Sequence, residues 1–252
     1  TEKTHWVGVL FLKKRFNCMI DLKKYLNTVD GFLTDKEGEL LFQLAGQVKQ
    51  GSIVEIGSWK GKSTVCLGLG SLEGNRNTVF AIDPHTGSPE HQEAFGGKVW
   101  TFDVFKENIK KANVSEVVSP IVKTSNDAVK DFHDDIGLIF IDGAHEYEPV
   151  KNDFLEWEPK VIAGGIIAFH DTVGWAGPRR VVEEYLYSSK YFKDVRFVDS
   201  ITYATKVDHN RYFDRVKNRY MLFLRNVSEY VRGLSIPKPV KKIGKVILEA
   251  IS

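Results

Sequence analysis

Apolar positions along the chain fall into two alternating registers. Nearly continuous apolar runs at Ser52–Ile56, Thr78–Ile82, Val117–Val122, Gly137–Ile141 and Gly165–Phe169 have the length and bounds of strands. Between them, apolar residues recur at spacings of three and four. Thr34–Val48 sets Leu40, Leu41, Leu44 and Val48 on one face, and Ser63–Leu72, Lys98–Ala112, Pro149–Trp157 and Pro178–Ser188 behave similarly. Because the strands do not alternate apolar with polar, helices are expected on both faces of a parallel sheet. Two further runs, Val195–Val198 and Ile201–Thr205, are separated only by Asp199 and Ser200, a connection that permits nothing but an antiparallel hairpin. The predicted fold is therefore α/β, doubly wound, with a mostly parallel seven-stranded sheet that ends in a reversed pair.

Beyond Asp208 the pattern turns wholly helical. Tyr212, Val216, Tyr220, Phe223, Val227 and Val231 predict one long helix, Ile236-Pro-Lys-Pro interrupts it, and Val240, Ile243, Ile247 and Ile251 begin a short amphipathic one. The expected organisation is a helical segment over 1–48, a ligand-binding domain over 49–207 and a helical extension over 208–252. The 252 residues carry a net charge of +2, but residues 206–252 hold eleven Lys and Arg against four Asp and Glu. A basic tail on an acidic body suits an anionic surface, so weak membrane contact through 236–252 is one expectation. Docking of that stripe on the catalytic domain or on a second subunit is the other. No nucleic acid partner is expected.

Composition narrows the class. With 42% hydrophobic and 12% aromatic residues the chain has the means to bury a core, which excludes intrinsic disorder. Two cysteines, Cys18 and Cys66, are too few for a disulfide framework or a cysteine-built zinc site, and point to a reducing, cytoplasmic setting. No apolar run approaches the roughly 18 to 20 residues that span a bilayer.

Chemistry concentrates where strands end. The first strand runs into Gly57-Ser58-Trp59-Lys60-Gly61-Lys62-Ser63, whose glycines let the backbone turn out of the strand and approach a ligand at the start of a helix. Gly57 and Gly61 are too close for a nucleotide phosphate loop, and they are not G-x-G-x-x-G, which argues against an NAD(P)-dependent oxidoreductase, the competing enzyme class. The second strand ends in Asp83, whose carboxylate can accept from both hydroxyls of a ribose, although a turn or capping role before Pro84 would also explain it. The fourth strand ends in Asp142-Gly143-Ala144-His145 and the fifth in His170-Asp171-Thr172. Two carboxylates and two imidazoles leaving apolar strands are costly to desolvate unless they meet a metal, each other or a substrate. Each alone could be a cap or a hydrogen-bonded strand end. His85 and His91 fall in a polar loop, 84–97, that either closes over a substrate or merely connects, and Trp175 either stacks on an acceptor or packs on the next helix.

These motifs, from Gly31-Phe32-Leu33 with Glu37 through Val54–Thr64, Ala81–Pro84, Thr124–Asp127, Ile141–Asp153 and Gly164–Thr172, resemble the class I S-adenosylmethionine-dependent methyltransferases. Within that class the likeness is to the small O-methyltransferases of sugar and antibiotic tailoring. The resemblance implies that Glu55, Gly57 and Gly61, with Ser58 and Ser63, frame the methionine part of the cofactor. It implies Asp83 on the ribose, Ser125 to Asp127 at the adenine edge, and Asp142 also near the cofactor. In metal-dependent members it further implies Asp142, His170 and Asp171 as ligands of a divalent ion, for which Mg²⁺ or Mn²⁺ is expected and Zn²⁺ or Fe²⁺ stays open, and His145 as the base. The chain departs from that pattern with His170 where a carboxylate is common and His145 where the base is a lysine. The implied acceptor is a small-molecule or saccharide hydroxyl. Self-association and a non-catalytic binding or membrane-docking role stay open on sequence alone.

Overall fold

A computed structural model describes residues 22–87 and 97–233. Residues 1–21, His91 and the basic segment 236–252 lie outside the described residues. After helical residues 22–28, the elements run α1 (Asp35–Gln47), β1 (Ser52–Ile56), α2 (Lys62–Glu73), β2 (Val79–Ile82), α3 (Phe102–Lys111), β3 (Val118–Ile121), α4 (Ser125–Asp131) and β4 (Ile136–Ile141). Then follow α5 (Tyr147–Trp157), β5 (Val161–Phe169), α6 (Ala176–Val182) with a wider helical turn over Glu183–Tyr187, β6 (Phe192–Val198), β7 (Ile201–Lys206) and α7 (Tyr212–Gly233). The strands form one seven-stranded sheet in the order β3-β2-β1-β4-β5-β7-β6. The β1–β2 and β2–β3 pairs are parallel, whereas β7 runs antiparallel to both β5 and β6. The predicted doubly wound sheet with a reversed end is borne out.

The chain divides into two compact units, Thr1–Leu138 and Ile139–Ser252. In the first, every residue of β1 is buried, and the register sets Glu55 beside Ala81 and Ile56 beside Ile82, so β1 and β2 end together. Helix α1 opens with reciprocal capping: the Thr34 hydroxyl accepts from the Glu37 N–H, and the Glu37 carboxylate accepts from the Thr34 N–H at 2.9 Å. Its partner α2 approaches closely through Gly70, where an added Cβ would lie 2.2 Å from the Phe42 carbonyl oxygen.

In the second unit, β6 and the turn Glu183–Tyr187 support α7 by its inward face. Asn218 accepts from the Val195 N–H at 3.3 Å and donates to the Phe192 carbonyl at 3.0 Å, and the buried Arg225 donates to Glu183 at 2.8 Å. Several element limits differ from the sequence expectation, among them the start of β6, at Phe192 rather than Val195, and of α3, at Phe102 rather than Lys98. Strand β5 starts at Val161 rather than Gly165, because its first half passes through exposed Ala163 and Gly164, which carry no apolar signal. Helix α4 was not expected, since only Ala128 of its seven residues is buried and periodicity needs more than one point.

Candidate active site

The first unit supplies the loop that leaves β1. Gly57 and Gly61 have φ of 87° and 88°, in the left-handed region, and the non-glycine Trp59 between them has φ 46°. Three left-handed residues in five fold the loop tightly back on the strand end. Gly61 caps α2 without a side chain, so the loop delivers the helix N-terminus bare of any capping group. Bracing comes from outside the loop: Lys60 pairs with Asp30 at 2.6 Å, Lys62 donates to the Gly31 carbonyl at 3.1 Å, and Asn108 donates to the Lys60 carbonyl at 2.8 Å. An added Cβ at Gly61 would lie 3.1 Å from the Phe105 ring, so α3 packs directly against the turn.

Glu55 is fully buried in β1 and accepts a hydrogen bond from Thr64 on α2. Ser58 and Ser63 are also buried. Asp83, also buried, accepts from the Trp59 N–H at 2.7 Å on one oxygen and from the His85 N–H at 2.6 Å on the other. Its bond to His85 two residues on is the turn role foreseen as an alternative, and the bond to Trp59 ties the β1 loop to the β2 tip. Each oxygen still has a further lone pair for a ligand hydroxyl. Ser125 opens α4 behind the Thr124 cap and is half-buried.

His85 is not part of a merely connecting loop. It is buried among Phe102, Phe105 and Trp100, with ring centroids 5.0, 5.2 and 6.4 Å away, and its Nδ1 lies 2.9 Å from the Thr101 hydroxyl. Burial pushes the imidazole pKa down despite the attraction of Asp83, which keeps the ring neutral. Sequence reasoning weighed His85 only as a loop residue and gave Trp59 no role, because their signals are faint: a histidine two places after the acidic strand tip and an L-residue between two glycines.

The second unit gathers the other four predicted residues. His170 Nδ1 lies 3.0 Å from Asp142 Oδ1 and 3.3 Å from Asp171 Oδ2, and His145 Nε2 lies 3.0 Å from the same Asp171 oxygen. The imidazole of His145 stacks on Trp175 with centroids 4.1 Å apart and an interplanar angle of 13°. Trp175 is 45% exposed, so it is not packed away against the following helix. Gly177 makes this arrangement fit, because a Cβ there would meet the His145 carbonyl oxygen at 2.2 Å. His145 does not cap α5, whose cap position is Glu146, and Asp171 spends its carboxylate on two imidazoles rather than on a helix N-terminus.

Charge is divided unequally within this cluster. Burial pushes the Asp142 pKa up, a shift that His170 only partly opposes. Asp171 is pulled the other way: burial alone would raise it, but the hydrogen bonds and charge of His145 and His170 prevail and hold it well below the usual carboxylate range. One ligand atom each from Asp142, His170 and Asp171 lie within 4.8 Å of one another. Adjacent ligands of a divalent ion with bonds of about 2.0 to 2.1 Å are roughly 3 Å apart, so the His170-to-carboxylate distances fit one ion, and two carboxylates with one imidazole suit Mg²⁺ or Mn²⁺ as well as Zn²⁺ or Fe²⁺.

A carboxylate held below its unfolded pKa stabilises the fold while ionised and stops doing so as pH falls through the folded value. Asp171→Asn is therefore expected to lower the free energy of unfolding at neutral pH by about 1.5 to 3 kcal/mol. The gap to the parent should narrow as pH drops below about 4, where the unfolded carboxyl protonates. Urea unfolding of both proteins from pH 7 to pH 3 measures it, and a gap that widens on acidification contradicts the assignment.

Residues 54–172 match the family model described as a methyltransferase domain. Among curated proteins, the chain is 33% identical over 122 residues to an uncharacterized protein of Sinorhizobium fredii and 31% identical over 121 residues to an uncharacterized protein of Acanthamoeba polyphaga mimivirus. These matches take in 48% and 47% of this chain but only 13% and 50% of the relatives' own lengths. Among solved structures, the O-methyltransferase NovP is 18% identical with a TM-score of 0.59, over 68% of this chain and 79% of its own. The O-methyltransferase TomG from Streptomyces achromogenes, solved with S-adenosylmethionine, is 17% identical with a TM-score of 0.55, over 74% of this chain and 89% of its own. At these identities the structural likeness speaks for the fold, and the family model for the domain. Residues 54–172 are thus similar to a methyltransferase domain, and the described fold is similar to that of solved O-methyltransferases, in line with the motif resemblance.

Proposed function

We propose that the chain binds S-adenosylmethionine at the β1 and β2 tips and uses it to methylate a hydroxyl of a small molecule or saccharide. The observation that carries this reading is the buried Asp83 carboxylate, fixed by the Trp59 and His85 amides at the end of β2 beside a loop of left-handed residues. Such a carboxylate is oriented before any ligand arrives and has lone pairs left for ribose hydroxyls. The loop amides and the bare start of α2 suit the amino-acid portion, with Glu55, Ser58 and Ser63 beneath them, and Ser125 is assigned to the adenine edge. The solved TomG contains S-adenosylmethionine, and an O-methyltransferase of Bacillus cereus was solved with S-adenosylhomocysteine, which supports the same cofactor here.

The chemistry is assigned to the second cluster. When bound, the cofactor supplies an electrophilic methyl group and a divalent ion lowers the pKa of a coordinated hydroxyl. His145 takes the acceptor proton onto its imidazole. Asp171, hydrogen-bonded to that ring at 3.0 Å, orients it and stabilises the imidazolium that forms. Trp175 fixes the ring plane by stacking, and its exposed area offers an apolar rest for a sugar or aromatic acceptor. Asp142, His170 and Asp171 would hold the ion. The His145–Asp171 bond also supports a second reading, in which the pair acts as a metal-free base and His170 only positions Asp142 and Asp171. In this reading the catalytic domain spans 49–207, and 236–252 is an accessory contact for a membrane or a second subunit.

Two outcomes are expected. Asp83→Asn keeps an oxygen acceptor but removes the charge, and should weaken S-adenosylhomocysteine binding by about 1.5 to 3 kcal/mol in calorimetry. Affinity equal to the parent would contradict the ribose assignment. His145→Ala should lower turnover about 10² to 10⁴-fold, followed as S-adenosylhomocysteine release with a panel of sugar and phenolic hydroxyls, while cofactor affinity stays near that of the parent. Undiminished turnover contradicts the base assignment, and parent activity persisting in excess chelator selects the metal-free pair.

A further inference from the structure

Helix α7 has its two faces committed in opposite ways. The inward face carries Asn218, Met221, Leu224, Arg225 and Ser228, all buried and, at Asn218 and Arg225, hydrogen-bonded to β6, its neighbouring strand, and to Glu183. The outward face carries Tyr212 at 68% exposure, Phe213 at 80%, Val216 at 47%, Tyr220 at 49%, Phe223 at 60% and Tyr230 at 71%. Tyr212, Val216, Tyr220 and Phe223 recur at spacings of three and four, with Phe213 beside them and Tyr230 two turns further on the same face of the 22-residue helix. Isolated exposed apolar residues are ordinary, but a continuous aromatic stripe of this length marks an interaction surface.

Charge identifies what the stripe fits. Arg211, Arg215 and Arg219, four residues apart and all exposed, run along one margin, and none of the three has an ion pair among the described residues. Of the two acidic groups of α7 over 212–230, Glu229 pairs with Arg179 at 2.6 Å, while Asp214 accepts from the Arg211 backbone N–H at 2.8 Å and keeps its charge. Three arginines against the single Asp214 leave the charge beside the stripe net positive. A second copy would present the same aromatic stripe and arginines, with no row of acidic groups on its α7 to answer them. A nucleic acid would satisfy the arginines but not the long apolar stripe. Tyrosines and phenylalanines edged by arginines match the boundary between headgroups and acyl chains of an anionic bilayer. No described helix is long and apolar enough to cross a membrane, so the contact is with its surface.

We propose that the outward face of α7 docks the protein on an anionic lipid surface, with Phe213, Tyr220 and Phe223 entering the interface and Arg211, Arg215 and Arg219 pairing with lipid phosphates. This inference is independent of the methyl-transfer reading. It also differs from a contact through 236–252, whose Lys238, Lys241, Lys242 and Lys245 would add charge but are not required for it.

Flotation of the full chain with vesicles tests it. Binding is expected to mixed phosphatidylglycerol and phosphatidylcholine vesicles, not to phosphatidylcholine alone, and to weaken with salt. The triple variant Phe213→Ser, Tyr220→Ser, Phe223→Ser should bind on the order of tenfold less or weaker still, and Arg211→Gln, Arg215→Gln, Arg219→Gln should abolish the preference for anionic lipid. Because the substituted side chains are exposed, circular dichroism and S-adenosylhomocysteine affinity should match the parent. Failure of the parent to bind anionic vesicles overturns the proposal. So does undiminished binding by the aromatic variant, which would assign the contact to 236–252. A parent dimer that the aromatic variant converts to monomer, without vesicle binding, would assign the face to a second copy, and a loss of thermal stability without vesicle binding would assign it to another segment of this chain.

Discussion

Strands buried on both faces leave no room for unpaired polar groups along their length, and this constraint decides where chemistry can sit. All five residues of β1 and all six of β4 are buried, so polar side chains are tolerated only at strand ends or with a partner fixed by the fold. Glu55 is the instructive exception, a carboxylate inside β1 held by Thr64 from the first turn of α2. The same requirement explains the geometry of Asp83, which engages an amide with each oxygen at the tip of β2. Burial that stabilises the sheet thereby also orients the groups that would meet a ligand.

The two clusters solve the problem of buried charge differently. At Asp83 the negative charge is answered by backbone dipoles, which cannot be protonated away and leave the carboxylate preorganised. At the other cluster it is answered by imidazoles, and the two acids are driven in opposite directions, Asp142 up by burial and Asp171 down by His145 and His170. A rigid acceptor suits recognition, whereas a group of titratable partners within 3.0 to 3.3 Å suits proton movement. This contrast supports assigning binding to the first cluster and catalysis to the second.

Much of this was legible in the sequence because parallel strands and their tips leave strong local signals. The limits of β1 were read without error, the reversed pair followed from the two residues between β6 and β7, and the residues brought together around Asp171 were all foreseen. What escaped has physical reasons. Helix α4 has too little buried surface to imprint a period, and the left-handed φ of Trp59 and Asp171 is a property of the folded turn that no L-residue announces. Helix α7 was read from Tyr212, Val216, Tyr220 and Phe223, yet that stripe faces outward. Buried Asn218 and Arg225 hold the helix instead, because hydrogen-bonded polar groups can face inward as firmly as apolar ones. Periodicity finds a stripe and does not say which side is covered.

The central claim is that the tips of β1 and β2 form a site for S-adenosylmethionine. Thermal unfolding of the unmodified chain with saturating S-adenosylhomocysteine, NAD or NADP in parallel tests it most directly. A ligand present at 100 times its Kd adds about 2.7 kcal/mol of stability. The account predicts a rise in Tm with S-adenosylhomocysteine and none with either dinucleotide, and a rise with NAD or NADP alone would contradict it.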